Sequence, residues 1–193
     1  MSAASSMNIL GAFCGKRDVP ALTRECLKER YSFEEADVMV LFGASVLAGG
    51  EVLAGAMKAG AAKTYIIVGG AGHTTPVLRE KMHAAFPEII TEGRPEAEIF
   101  DEYLRLRHGL RADFLETKST NCGNNITNLL ALIDKEQIPC RSIILSQDAA
   151  MQRRMEAGLM LHRPGLTVVN YAVYSAEMRK NSSDARCGSS GGG

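Results

Sequence analysis

Short polar side chains and glycines gather in a few places along this 193-residue chain. One run reads Gly69-Gly70-Ala71-Gly72-His73-Thr74-Thr75-Pro76. Glycines let a backbone turn sharply and approach a ligand closely. Thr75 is placed to cap a helix, with Pro76 at its first position. Free N–H groups at such a start attract phosphate or carboxylate. Two readings fit: an anion cradle with His73 at its rim, or a tight strand-to-helix turn. The run is neither GxGxxG nor a Walker loop, which disfavours a standard dinucleotide or P-loop site. Gly43-Ala44-Ser45, followed by Gly49-Gly50, leaves similar room beside a strand end. It serves either a ligand or close helix–strand packing.

The densest polar run is Glu116-Thr117-Lys118-Ser119-Thr120-Asn121-Cys122-Gly123-Asn124-Asn125. One helix cap needs one such residue. Here there are six, and the surplus favours contacts to ligand hydroxyls or phosphates. Further on, Ser146-Gln147-Asp148 precedes Met151-Gln152-Arg153-Arg154. Asp148 suits an N-cap. Arg153 or Arg154, if turned to a crevice, would clamp an anion bidentately. The alternative is a solvated helix face. Gly93-Arg94-Pro95-Glu96-Ala97-Glu98 opens another helix, with Pro95 at its first position. Glu96 and Glu98 there complement the helix dipole. A carboxylate aimed at a crevice would instead hold ribose hydroxyls.

No known catalytic machine assembles from these runs. HExxH and GxSxG are absent, and no Cys/His pair has a telling spacing. The four histidines, at 73, 83, 108 and 162, are too scattered to suggest a metal. Cys122 lies in the polar run and reads as packed or exposed rather than reactive.

Position falls to the elements between these loops. Val38 to Phe42, Ile66 to Val68, Ile143 to Leu145 and Val168-Val169 are short apolar runs bounded by turn residues, with Phe114-Leu115 a weaker fifth. Such runs suit parallel strands buried on both faces. Apolar stripes at Val52, Leu53, Ala56 and Met57, at Ile99, Phe100, Tyr103 and Leu104, at Ile126, Leu129, Leu130 and Ile133, and at Met151, Met155 and Leu159 predict helices between them. The alternation predicts an α/β fold with a mostly parallel sheet of about five strands. Ligands of open α/β sheets bind beyond the carboxyl ends of the strands, where the unusual runs fall.

Composition bounds the partners. Residues 8–175 read as one domain, preceded by a disordered stretch at 1–7 and followed by a low-complexity tail at 176–193. Apolar residues make up 46%, enough for a core, and 22 basic residues balance 22 acidic ones. That balance fits a small-molecule ligand and argues against nucleic acid. The five cysteines include no CxxC pair, which argues against a disulfide framework and a structural zinc. No signal peptide or membrane span is evident, so a soluble cytoplasmic protein is expected.

Taken in order, Gly70-Ala71-Gly72-His73-Thr74, Gly93 to Ala97, Ser119 to Gly123, and Gln147-Asp148 with Met151 to Arg154 resemble the SanA/ElyC/YdcF family, domains of unknown function. The similarity runs over residues 8–174 and is greatest to the YdcF branch. It implies a Rossmann-like three-layer sandwich and an S-adenosylmethionine-binding role, without an established reaction. The candidate ligand residues, from the loops and the resemblance together, are Gly43, Ser45, Gly69, Gly70, Gly72, His73, Thr74, Arg94, Glu96, Ser119, Thr120, Asn121, Asn125, Gln147, Asp148 and Arg153. Two departures bear on chemistry. Asn124 stands where relatives usually carry a Glu, and Met151 occupies a region where many carry a His. The YdcF branch also continues well past the equivalent of Tyr174. The leading expectation is therefore a protein that binds S-adenosylmethionine or a nucleotide-like ligand. The alternatives are a transferase or hydrolase acting on a phosphorylated metabolite, and a truncated non-catalytic relative.

Overall fold

A computed structural model of the chain describes residues 3–175. Five strands, β1 (Ala36–Phe42), β2 (Ala62–Val68), β3 (Phe114–Glu116), β4 (Ser142–Ser146) and β5 (Thr167–Asn170), form one sheet in the order β3-β2-β1-β4-β5. Every pairing is parallel. β1 lies at the centre and is buried at every position, which is why its sequence is a continuous apolar run rather than an alternating one.

The helices are α1 (Ala3–Cys14), α2 (Arg24–Arg30), α3 (Ala48–Ala59), α4 (Thr75–Ala85), α5 (Glu96–His108), α6 (Cys122–Lys135) and α7 (Gln152–His162). Successive strand residues point to opposite faces, and two cores follow from that. Met39, Leu41, Ile67 and Ile144 pack with Leu27, Leu53, Leu78, Met82, Phe100 and Tyr103 from α2 to α5. Val38, Val40, Phe42, Ile66 and Leu145 pack with Ile126, Leu129, Ile133, Met155 and Leu159 from α6 and α7. The result is the expected Rossmann-like three-layer sandwich.

Each sheet edge is a hazard unless covered. Beside β5, Arg17 bridges Tyr171 antiparallel. The Asp18 N–H donates to the Asn170 carbonyl at 2.9 Å, and the Ala172 N–H to the Lys16 carbonyl at 3.2 Å. A buried polar chain locks this strap to the sheet. Gln152 donates to the Leu145 carbonyl at 2.8 Å and to Asn170 Oδ1 at 3.1 Å, and accepts from the Gln147 N–H at 3.0 Å. Asn170 in turn donates to Asp18 and Glu156.

Several local expectations are corrected. Residues 3–7 belong to α1, not to a disordered stretch. Their Ala, Ser and Met residues carry no helix breaker, and Gly15 seats the end of α1 against Ala149. Thr75 is the first residue of α4 rather than its cap, and Pro95 precedes α5 rather than starting it. Asp148 is not the cap of α7. It heads a turn that closes first, accepting from the Ala150 N–H on Oδ1 and from the Met151 N–H on its carbonyl. The tail reading for 176–193 lies outside the described residues.

Candidate functional site

In the strand order β3-β2-β1-β4-β5 the connection from β1 runs one way and that into β4 the other. Such a switch point opens a crevice at the carboxyl ends of the strands. A cleft of about 510 Å³ lies there, within the range of small-molecule sites. The loops after β1, β2, β3 and β4 all line it.

Of the residues expected at a site, Gly43, Ser45, Gly70, Gly72, His73, Thr74, Glu96, Ser119, Thr120, Asn121, Asn125, Gln147 and Asp148 line this cleft. Gly69 lies beneath it, packed on Glu96 and Gly43. Arg94 and Arg153 do not line it. The Arg94 guanidinium turns to Glu98 at 3.5 Å and to the Ile90 carbonyl. Arg153 donates through Nε to the Phe13 carbonyl at 2.6 Å and lies over the Phe13 ring at 4.4 Å. Arg154 takes the cleft position instead, with Ala44, Cys122 and Met151. Because α7 begins only at Gln152, the face each arginine presents depends on where the preceding turn ends. At 100° per residue, that start decides which arginine faces in.

The glycines hold the loops together more than they open space. A Cβ on Gly70 would collide with the Ser119 carbonyl oxygen, and one on Gly72 would lie 2.9 Å from the Thr120 carbonyl. The Gly70 N–H donates to Ser119 Oγ at 3.2 Å, and the Gly69 N–H to the Glu116 carbonyl at 2.9 Å. The buried Glu116 carboxylate organises the other side. It accepts from the N–H groups of Lys118 (2.7 Å) and Ser119 (3.1 Å) and from Asn128 Nδ2 (3.1 Å). Asn121 caps α6, its Oδ1 accepting from the Asn124 N–H at 3.0 Å.

Glu96 forms part of the floor. It is 6% exposed, and it fills the space that side chains at Gly43 and Gly69 would take. The Thr75 hydroxyl donates to Glu96 Oε1 at 2.7 Å while accepting from the Gly72 N–H at 2.8 Å. The Glu96 N–H donates to the Gly70 carbonyl at 2.9 Å, tying the start of α5 to the cleft loops. Burial pushes the Glu96 carboxyl above its ordinary range, against the lowering effect of the Thr75 and Thr74 hydroxyls and of Arg79 and His73. Arg79 itself holds the Arg94 carbonyl, at 2.7 Å through Nη2.

Arg154 is the cleft's guanidinium. It makes no ion pair or hydrogen bond among the described residues, and it is exposed. The start of α6, at Cys122, opens on the same space. The cleft therefore offers a cation and a helix start to an anion. It offers hydroxyls and amides to a polar body, and a buried carboxyl on its floor. Among the described residues, no three His, Cys, Asp or Glu side chains are placed to hold a metal ion. Cys14, Cys26, Cys122 and Cys140 are free thiols. No helix of the described residues is long and apolar enough to cross a membrane.

Fold and cleft together define a Rossmann-like α/β domain with a ligand-sized crevice at its switch point. No protein-family model matches the chain.

Proposed function

We propose that the chain is a cytoplasmic, YdcF-like member of the SanA/ElyC/YdcF family that binds S-adenosylmethionine or a similar nucleotide-like ligand in the switch-point cleft. The observation that carries this reading is the gathering of four strand-end loops around one crevice with Arg154, unpaired among the described residues, on its wall. In such a ligand, the anionic group pairs with Arg154 and the start of α6. Hydroxyls or amines of the body meet Ser45, Asn125 and Gln147. Titration calorimetry with S-adenosylmethionine tests it. Saturable binding that weakens in Arg154→Ala and persists in Arg153→Ala supports the reading. Absence of binding by a well-folded protein removes S-adenosylmethionine, and the same titration with adenine nucleotides decides the broader class.

Glu96 favours a second reading, a transferase or hydrolase acting on a phosphorylated metabolite. A buried carboxyl whose pKa burial raises suits general acid–base work, with Arg154 on the phosphate. Turnover of a phosphorylated substrate that survives Glu96→Gln unchanged would discard that role.

A further inference from the structure

Helix α1 faces the wrong way for a helix that only covers the domain. None of residues 5–14 is buried. Met7, Ile9, Leu10 and Phe13 are each more than half exposed. Their spacing of three and four residues lines them along one side. No charged side chain precedes Lys16 in the sequence. Just past its end, Gly15 sits against Ala149.

Beside this face runs a groove of about 550 Å³, lined by Phe13, Arg153, Ala157, Met160, Leu166 and Val168 among others. Along α7, Met160 and Leu161 follow Ala157 by three and four residues, and Leu161 is 79% exposed. The chain thus carries an uncharged apolar helix and an apolar-walled groove side by side. A two-fold axis places each where the other copy needs it.

Area argues for the same occupant. Met7, Ile9, Leu10, Phe13, Met160 and Leu161 together expose on the order of 600 Å² of apolar side chain, against roughly 800 Å² per partner in a stable interface. An apolar surface of this order lies at the upper end of what monomers leave uncovered. Of the groove's charges, Arg153 and Glu156 already face each other at 3.9 Å and Arg154 lies exposed at its rim toward the cleft, and the formal net charge of the chain is zero. Two copies therefore meet without net repulsion.

We propose that α1 is a dimerisation helix. The α1 of one copy packs in the groove between α1 and α7 of a second copy, and the contact is reciprocal. Arg154 lines both the groove and the ligand cleft, so pairing borders the cleft without depending on what fills it.

Sedimentation velocity of the full chain over a range of concentrations reads this directly. The expected result is a monomer–dimer equilibrium that Leu10→Lys and Leu161→Glu each weaken by about 100-fold or more, with melting curves showing the fold intact. Mixing the two variants restores a dimer, because each α1–α7 contact then pairs either Lys with Glu or two leucines. A wild-type chain that stays monomeric overturns the proposal. So does a dimer indifferent to both substitutions, or a monomer that α1 instead binds to lipid vesicles.

Discussion

The Arg153 guanidinium is committed to the Phe13 carbonyl and ring, whereas the Arg154 guanidinium is uncommitted among the described residues and faces the cleft. Their substitutions should separate cleanly. Charged hydrogen bonds contribute roughly 1.5–3 kcal/mol, so Arg154→Ala should weaken an anionic ligand by about tenfold to a hundredfold in calorimetric titration. Arg153→Ala should leave that affinity alone. Glu96 gives a prediction in pH. Its carboxyl is pushed above the ordinary range by burial, so the native state binds this proton more tightly than the unfolded chain does. The stability it contributes is complete below the unfolded value and falls as pH rises through the higher native one. Glu96→Gln keeps an acceptor for Thr75 and carries no charge. Its melting temperature relative to wild type should therefore climb with pH across that window, in scanning calorimetry at a series of pH values. A difference that stays flat with pH would show that the wild-type carboxylate is not disfavoured in its site. The identity of these residues was legible in the sequence, because glycine and short polar side chains crowd the strand-end loops. The choice of Arg154 over Arg153 was not. It turns on the turn at Asp148, a tertiary detail that no periodicity records.

At the scale of elements, the five strands were readable for a physical reason. Strands buried on both faces cannot alternate, and Val38 to Phe42 or Ile143 to Leu145 have no other sensible home. Residues 8–32 show loosely helical spacing, which α1 and α2 share, but the reach of α1 back to Ala3 was not readable, because its apolar residues face out and leave no stripe pointing at a core. The cleft loops depend on each other in a way the sequence hides. Gly70 is required by the Ser119 carbonyl rather than by an unusual φ. Gly70→Ala should push the β2 and β3 loops apart and cost roughly 1–3 kcal/mol, seen as a lower midpoint in denaturant at unchanged slope. The strap over β5 depends on Gln152 in the same manner. Gln152→Leu strands the Gln147 N–H and Asn170 Oδ1 without this partner, while the Leu145 carbonyl keeps the Tyr171 N–H at 2.9 Å. Each unsatisfied buried group costs about 1–3 kcal/mol. The variant should melt well below wild type, and hydrogen exchange should quicken first in β5 and residues 16–18. Uniform loosening across the sheet would count against a local strap.

For the whole molecule, the sheet separates two charged ends. The cleft occupies the carboxyl ends of the strands, while Asp37 sits at the opposite end of β1. Burial alone would raise the Asp37 carboxyl. The hydrogen bond from Lys63 Nζ at 2.9 Å and those from the N–H groups of Arg141 (2.9 Å) and Ser142 (3.2 Å) outweigh it and bring the pKa down to about 2. This carboxylate also joins β1 to the start of β4, the pair that flanks the switch point. A carboxyl whose native pKa lies below its unfolded value contributes stability that is complete above the unfolded value, near 3.8, and lost as pH falls through the native one. At 1.36 kcal/mol per pH unit, that contribution is on the order of 2 kcal/mol. Denaturant unfolding should therefore show stability falling between about pH 4 and pH 2. In Asp37→Asn that part of the slope should vanish, at the expense of lower stability at neutral pH, since a neutral amide holds Lys63 less firmly. Ligand affinity at neutral pH should stay the same in the folded variant, because the two ends share no side chain. An acid slope identical in wild type and variant would mean that other carboxylates carry the acid response, and that the β1–β4 junction is held by its backbone pairing alone.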